Sequence, residues 1–327
     1  MHVKQTGVAL ITVMLILSLA TVTAVSMASR QNIEIHRTSN VHNFEQASHY
    51  ITLIENYAND ALSDHFNTAG VPTLSSVDID RWNNATIASN FTVDEVKMSG
   101  EIEDVQARFN LNSLINVKTG APVAVQVARL RTLINNLNRD INLDLNVNFV
   151  DALIDWLDPN SNVVSLSGAE DGVYLRLDVP YLPANQYLKD ISELLLIHGM
   201  THDIYKKFIK YVCVLESSMP LNINSAKVEV LQSLNPAITN AVANTLYTNA
   251  RQKVGDVAGY TSVTAFLADP AIAGLGVSAD GLDFTSQSFV IKSSVALDKV
   301  KMRFITHLHP DVTSGNISVK SRSRNIL

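Results

Sequence analysis

From Val8 to Ser29 the chain carries no charged side chain, and this one stretch, VALITVMLILSLATVTAVSMAS, constrains the fold more than any other feature. As an α-helix it is about 33 Å long at 1.5 Å per residue, the thickness of a bilayer core. A segment of that length and apolarity can span a membrane. Only seven residues precede it, among them Lys4 and no acid, and Arg30 and a long polar chain follow. A short positive leader ahead of a passenger sets the N-terminus in the cytoplasm and the body outside. The alternative is a cleaved secretory signal, whose apolar region is shorter, about 7–15 residues, and ends at a small-residue cleavage site. This run is longer, and no Gly or Pro occurs between Gly7 and Gly70. Past Arg30, Phe44, Ala47, Ile51, Ile54, Ala58 and Ala61 recur at spacings of three and four, the seam of a helix packed on something. One helix over residues 8–66 is therefore expected to run from the membrane into a folded domain, with residues 8–29 in lipid.

The rest of the 327 residues should fold, because 46% hydrophobic and 17% charged residues exclude a disordered or fibrous chain. A net charge of −6 supplies no global basic field, so nucleic acid is not an expected partner. The single cysteine, Cys213, cannot form an intramolecular disulfide, and within YVCVL it reads as a core thiol in an apolar helical stretch. Between Phe66 and Leu114 the pattern becomes short and alternating, as in TVDEVKM and EIEDVQARFNL, which reads as strands. Similar segments return only at the end: SFVIKSSVAL, KVKMRFITHLH and NISVKSRSRN, the last two separated by a turn region from Pro310 to Gly315. The middle is helical in period, as in VAVQVARLRTLINNL, FVDALIDWL, ISELLLIHGM, HDIYKKFIKYVCVL and KVEVLQSL. The expected architecture is α+β: a long N-terminal helix and an antiparallel sheet, residues 67–114 plus 283–327, interrupted by an inserted all-helical domain, residues 115–282.

The acidic loop from Asp158 to Asp171 is the best candidate site. Asp158, Asn160 and Asn162 have the D-x-N-x-N spacing with which a turning loop points alternate oxygens at a hard cation, and Glu170 and Asp171 can close the shell. Calcium suits such ligands. It is not an EF-hand, since Val163 stands where the loop glycine belongs and Glu170 falls one residue late. From spacing alone, an Asx-rich surface turn after a helix stopped at Pro159 stays open. His198 and His202 lie four apart, which invites a zinc reading with Asp203, but HGMTHD lacks the glutamate of H-E-x-x-H and Gly199 interrupts the helix that motif requires. His307 and His309 alternate along a strand and read as a solvated face. Tyr174, Tyr181 and Tyr187 either form a partner surface or, more commonly, fill a proline-rich loop. LNINSAKVEVLQSL resembles a helix-hairpin-helix element, yet one lysine, Lys227, in an acidic chain favours internal packing over DNA binding. No G-x-S-x-G, P-loop or G-x-G-x-x-G is present.

A basic leader ending in Gly7, then Val8, an apolar run and an amphipathic extension resembles the N-terminus of type IV pilins and type II secretion pseudopilins. That resemblance implies cleavage between Gly7 and Val8 by a prepilin peptidase, with methylation of Val8. Most of that family carries a glutamate at the fifth mature position, where this chain has Thr12. A carboxylate in lipid needs a compensating charge, in this family from a neighbouring subunit, and a subunit with nothing above it needs none. The missing glutamate, the insertion and a series of words resemble the type II secretion protein K family. The words are Asp155-Trp156-Leu157-Asp158-Pro159, Gly168-Ala169-Glu170-Asp171, Tyr174, Pro180-Tyr181, Pro183-Ala184-Asn185, Ile191-Ser192-Glu193-Leu194, Gly199-Met200 and Leu221-Asn222-Ile223-Asn224-Ser225-Ala226. The resemblance implies a non-enzymatic minor pseudopilin of the inner membrane, single-pass, with a periplasmic body. It implies I- and J-type minor pseudopilins as partners, a tip position that starts and caps the pseudopilus in support of protein export, and calcium in the helical domain. A minor pilin of a type IV pilus shares the anchor without the insertion. A membrane-tethered periplasmic metallohydrolase using His198, His202 and Asp203 is the alternative of another class.

Overall fold

The structure, a computed structural model, describes residues 6–69, 91–93, 96–254, 257–297, 300–310 and 317–325. The expected leader before Thr6, the first part of the expected sheet region (70–90) and the turn at 311–315 lie outside the described residues. Helix α1 runs unbroken from Thr6 to Ala69, 64 residues or about 96 Å, with no Gly or Pro after Gly7 to interrupt it. It is the one candidate membrane span among the described residues, and its apolar window, of mean hydropathy 2.5, is wholly uncovered by protein. The hydroxyls in this window stay inside the helix: Thr12 Oγ1 donates to the Ala9 carbonyl at 2.9 Å and Ser18 Oγ to that of Leu15 at 2.8 Å. Such back-bonding removes polar groups from lipid.

Further along, the same helix acquires a buried face. Ala47, Ile51, Ile54, Ala58 and Leu62 pack on a five-stranded antiparallel sheet, with Phe44 at the edge of the seam, its ring centroid 6.4 Å from that of Phe304. The Ala61 side chain lies outside the described residues. The strands are β1 (Phe91–Val93), β2 (Val96–Asp104), β3 (Phe289–Leu297), β4 (Val300–Pro310) and β5 (Ile317–Asn325), in that spatial order. Strands β2 and β3 pair directly, Met98 with Val295, Ile102 with Ile291 and Asp104 with Phe289, although residues 105–288 separate them in sequence. The helix-facing side chains Met98, Ile102, Phe289, Ile291, Val295, Met302, Phe304 and Leu308 alternate along their strands, as a half-covered sheet demands.

Residues 105–288 form the head. Its helices are α2 (Ala124–Ile141), α3 (Phe149–Leu157), α4 (Asp171–Tyr174), α5 (His202–Phe208), α6 (Val228–Gln232), α7 (Asn240–Asn249) and α8 (Val263–Leu267). Leu130, Leu133 and Leu137 of α2, Leu153 and Trp156 of α3, Val230 and Leu231 of α6, Leu246 of α7 and Phe266 of α8 build one core. Two segments depart from the helical period. Ile191–Leu196 is a 3₁₀ turn, and α5 stops at Phe208. Val212–Cys213 instead pairs in parallel with Phe109–Asn110, the β-branched and aromatic run YVCV favouring extension. Cys213 is a core thiol nonetheless, packed with Val105 and Val290 where the head meets the sheet, and burial pushes its pKa up to about 12.

The joint between head and sheet is polar. Asp104, the last residue of β2, is buried and accepts from the Gln106 N–H at 2.8 Å, Ser286 Oγ at 2.6 Å, Asn222 Nδ2 at 3.3 Å and Ser225 Oγ. Asn224 Nδ2 donates to the carbonyls of Tyr260 at 2.9 Å and Phe284 at 3.0 Å. The LNINSA segment therefore ties the head to itself and to the sheet, and Lys227 beside it donates to the Lys210 carbonyl at 3.1 Å. Burial raises the Asp104 carboxyl above the ordinary range against the pull of its four donors.

One acid interrupts the apolar seam of α1. Glu55 is buried and accepts from Thr306 Oγ1 at 2.6 Å and from Arg322 through Nε at 2.8 Å and through Nη2, joining the helix to β4 and β5. The two partners are unequal, since the Arg322 side chain is 41% exposed and that of Glu55 only 5%. Arg322→Ala strands a buried carboxylate and should cost about 3 kcal/mol in urea denaturation of the full chain in detergent micelles. Glu55→Gln leaves an arginine that can reach water and should cost roughly half as much. The reverse order would refute this assignment.

Candidate functional site

The acidic loop hangs from α3. That helix is buried on every side, yet carries Asp151 and Asp155, with Asp158 at its C-terminal cap, spaced four and three apart and so on one face. Asp155 spends both oxygens on loop amides, accepting from the Val164 N–H at 2.8 Å and the Ala169 N–H at 2.7 Å. A Cβ on Gly168 would overlap Asp155 Oδ2, so glycine is required there. Asp151 accepts from Arg131 Nη2 at 2.6 Å and from Ser165 Oγ at 2.9 Å. Neither was among the residues expected from spacing, although their stripe on an otherwise apolar helix was a readable signal. They shape the loop.

Asp158 Oδ1 accepts from the Asn160 N–H at 3.1 Å and from Asn160 Nδ2 at 2.8 Å, and Asn160 Oδ1 accepts from the Asn162 N–H at 2.8 Å. These are successive Asx turns, with Asp158 buried and both asparagines exposed. At the far end Glu170 is buried, and neither of its carboxylate oxygens has a hydrogen-bond partner. Burial, then the charges of Asp155, Asp158 and Asp171, pushes its pKa up to about 7. Asp158 is likewise raised, chiefly by burial, with the Asn160 bonds opposing. Of the five expected ligands, Asp158, Glu170 and Asp171 thus share one electrostatic environment, and Asn160 and Asn162 line the exposed turn.

Among the described residues no three His, Cys, Asp or Glu side chains stand close enough to hold a metal unaided. The donor set nevertheless suits a hard cation. A buried, unpartnered carboxylate beside three other acids is costly without positive charge, and calcium draws much of its shell from neutral carbonyl and amide oxygens of the kind that Asn160 and Asn162 carry.

The histidines are arranged otherwise. His198 and His202 do not share a helix face, because Gly199 at φ +90° turns the chain and α5 begins only at His202, capped by Thr201 Oγ1 on the Ile204 N–H at 3.3 Å. His202 stacks on Tyr205, centroids 6.5 Å apart, and Asp203 is exposed in the first turn. His307 and His309 do not form a solvated face. They are half-buried in a groove of about 870 Å³ between head and sheet, and burial lowers the His307 pKa while Asp190 opposes and Lys320 adds to that shift. Tyr174 is fully buried between Trp156 and Tyr181, each centroid 5.4 Å away, and Tyr181 donates to the Leu196 carbonyl at 2.6 Å, so these two tyrosines fill the loop. Tyr187 is half-buried, its hydroxyl 3.5 Å from the Ile115 carbonyl. At the other end of the molecule, Gly7 and Val8 lie in the first turn of α1, with Val8 exposed.

A family model described as type II secretion system (T2SS), protein K matches residues 107–217, the segment that carries the acidic loop. Type II secretion system protein K of Aeromonas hydrophila is 34% identical over 235 residues, 69% of each chain. The Klebsiella pneumoniae protein of that name is 31% identical over 316 residues, 92% of this chain and 91% of its own. The crystal structure of the GspK-GspI-GspJ complex from the enterotoxigenic Escherichia coli type 2 secretion system contains a chain of the same fold, with TM-score 0.71 and 24% identity, covering 89% of this chain and all of that one. Identity at this level over most of the sequence, joined to the same fold, makes the chain a member of the type II secretion system protein K family.

Proposed function

We propose that this chain is a non-enzymatic minor pseudopilin that sits at the tip of the pseudopilus, starts and caps the filament, and so supports export of folded periplasmic proteins. Its stem stays in the inner membrane through Val8–Ser29 and its body lies in the periplasm. The observation that carries the reading is a single helix, bare and apolar below, packed on a sheet above, with a large head beyond. Phe44 lies against Phe304, and Glu55, eleven residues up the helix, against Thr306, so β4 ascends with α1. Asp104 and Phe289, where the head joins, pair at the same upper end as Leu308. A head on the end away from the membrane leaves no sheet surface there for a further subunit.

The partners that fit are I- and J-type minor pseudopilins, by analogy with the GspK-GspI-GspJ complex of Escherichia coli. In this reading prepilin peptidase cuts between Gly7 and Val8 and methylates Val8, and Thr12 puts no charge in lipid that a neighbour above would have to neutralise. Mass spectrometry of the native chain should find a mature polypeptide beginning at methylated Val8. Deleting residues 105–288 should leave stem insertion intact and abolish tip assembly and secretion. A soluble product starting near residue 30 would contradict the anchor.

In the same reading Asp158, Glu170 and Asp171, with Asn160 and Asn162, hold calcium in the head. The ion would supply the positive charge that the buried Glu170 lacks and fix the loop. Protonation then competes with the metal, and the sign is definite. In the metal-free chain folded Glu170 keeps its proton up to about pH 7, whereas the unfolded carboxyl releases it near 4.5. Folding takes up a proton in that window, so stability falls as pH rises through it. With chelator present, Glu170→Gln should flatten this slope. Calcium should raise the Tm of the unsubstituted chain more at about pH 7.5 than at about pH 5.5, and Glu170→Gln should remove that difference. Equal slopes in the two chains would exclude Glu170 from the site.

A further inference from the structure

On the head, away from the acidic loop, helix α2 buries an arginine without a carboxylate. Arg129 is 3% exposed and donates only to backbone, through Nη1 to the Asp280 carbonyl at 2.5 Å and through Nη2 to that of Ser278 at 2.7 Å. Asp280 turns its carboxylate to the Ser278 hydroxyl at 3.0 Å instead. Arg129 Nε is buried and has no hydrogen-bond partner. Closing the 278–281 turn therefore occupies the two outer nitrogens and leaves the Nε edge, the one that pairs side-on with a carboxylate, unmatched.

A cleft of roughly 380 Å³ opens beside this guanidinium. Lys118 stands on its wall, exposed and without an ion pair to any described residue. Ser113, Asn116, Ser217 and Ser218 add hydroxyls and an amide to the lining. Gly281, at φ +68°, brings the turn against Gln126 and Arg129, where a Cβ on residue 281 would overlap Gln126 Nε2. The Asp280 carboxylate also lines the cleft and offsets part of the charge of Arg129 and Lys118, but it hydrogen-bonds Ser278 and not Arg129. Two cations and one acid thus face the cleft, and the buried cation has only carbonyls on its nitrogens, an arrangement that an added anion would balance. Burial has drawn the Arg129 pKa down to about 10, with the Asp280 charge opposing.

We propose that this cleft binds a carboxylate, taken by Arg129 and steered by Lys118, while the hydroxyl and amide lining accommodates the polar groups next to it. That carboxylate belongs either to the end of a polypeptide or to a small free acid. Calorimetry and thermal unfolding of the full chain in detergent micelles test both, using sodium acetate, the tripeptide Ala-Ala-Ala and its C-terminal amide, each against sodium chloride of equal ionic strength. Saturable binding of acetate and tripeptide with none of the amide is expected. A tripeptide at least about tenfold tighter than acetate assigns the site to a chain end, and equal affinities assign it to a free acid. Lys118→Glu, at an exposed position that cannot unfold the head, should weaken binding by about tenfold or more, and Arg129→Lys should keep the charge but lose the fork and most of the affinity. No saturable response to either carboxylate, or binding unchanged in Lys118→Glu, overturns the proposal.

Discussion

The whole body of the protein depends on the face that α1 shares with the sheet. Ile51, Ile54 and Leu62, with Ala47 and Ala58 between them, leave water against Met98, Ile102, Ile291, Val295 and Phe304. Three large aliphatic side chains contribute on the order of 5–9 kcal/mol by burial, comparable with the whole net stability of a typical domain. The upper stem is thus the core half of the sheet domain. Below Val41 the same helix has no protein cover, and its uncharged part, Val8–Ser29, has the length and apolarity that a bilayer could cover as the sheet covers the part above. Because the covered and bare parts belong to one unbroken helix, any force that moves the stem moves the body with it.

The head is accommodated by the geometry of its attachment. Its chain leaves the sheet at Asp104 and returns at Phe289, and those residues are paired neighbours on adjacent strands. An insertion whose ends already lie together imposes little extra loop-closure entropy, so its length hardly matters to the sheet. What remains is orientation, and the Asp104 network supplies it. Asn222 and Ser225 come from the head, Ser286 from the returning chain, and Val105, Cys213, Val290, Leu215 and Ile305 close a small apolar contact alongside. A carboxylate satisfied from three separate segments fits only one arrangement of them, which is how a buried polar group specifies geometry.

The helix, the strands and the head's main helices were legible because each follows a period. The Gly- and Pro-free window predicted α1 nearly to its last residue, and FVDALIDWL matches α3 residue for residue. Legibility failed where structure is set by contacts distant in sequence. YVCVL has the composition of either helix or strand, and its partner Phe109–Asn110 lies about a hundred residues earlier. His307 and His309 alternate as a surface strand would, but nothing local says that the head covers them. In the acidic loop the spacing of Asp158, Asn160 and Asn162 was readable as an Asx-rich turn or a cation loop, and the backbone forms the Asx turns. The roles of Asp155 and Gly168 required the loop to fold back on its own helix.

The acids of this loop divide the work by burial and partnering. Asp151 and Asp155 are buried but fully engaged, one by Arg131 and Ser165, the other by two amides, so they gain nothing from a cation and serve as scaffold. Glu170 is buried and unengaged, and its proton affinity is raised by the very scaffold that positions it. A free surface carboxylate would bind a cation weakly because water competes, and a fully bonded one would not bind at all. A carboxylate desolvated in advance and left without donors is the one whose cost a bound cation would remove, which is why the calcium proposal centres on Glu170. Since α3 carries this loop on one side and packs in the head core on the other, through Val150, Leu153 and Trp156, an ion in the proposed site would act on the stability of the whole head.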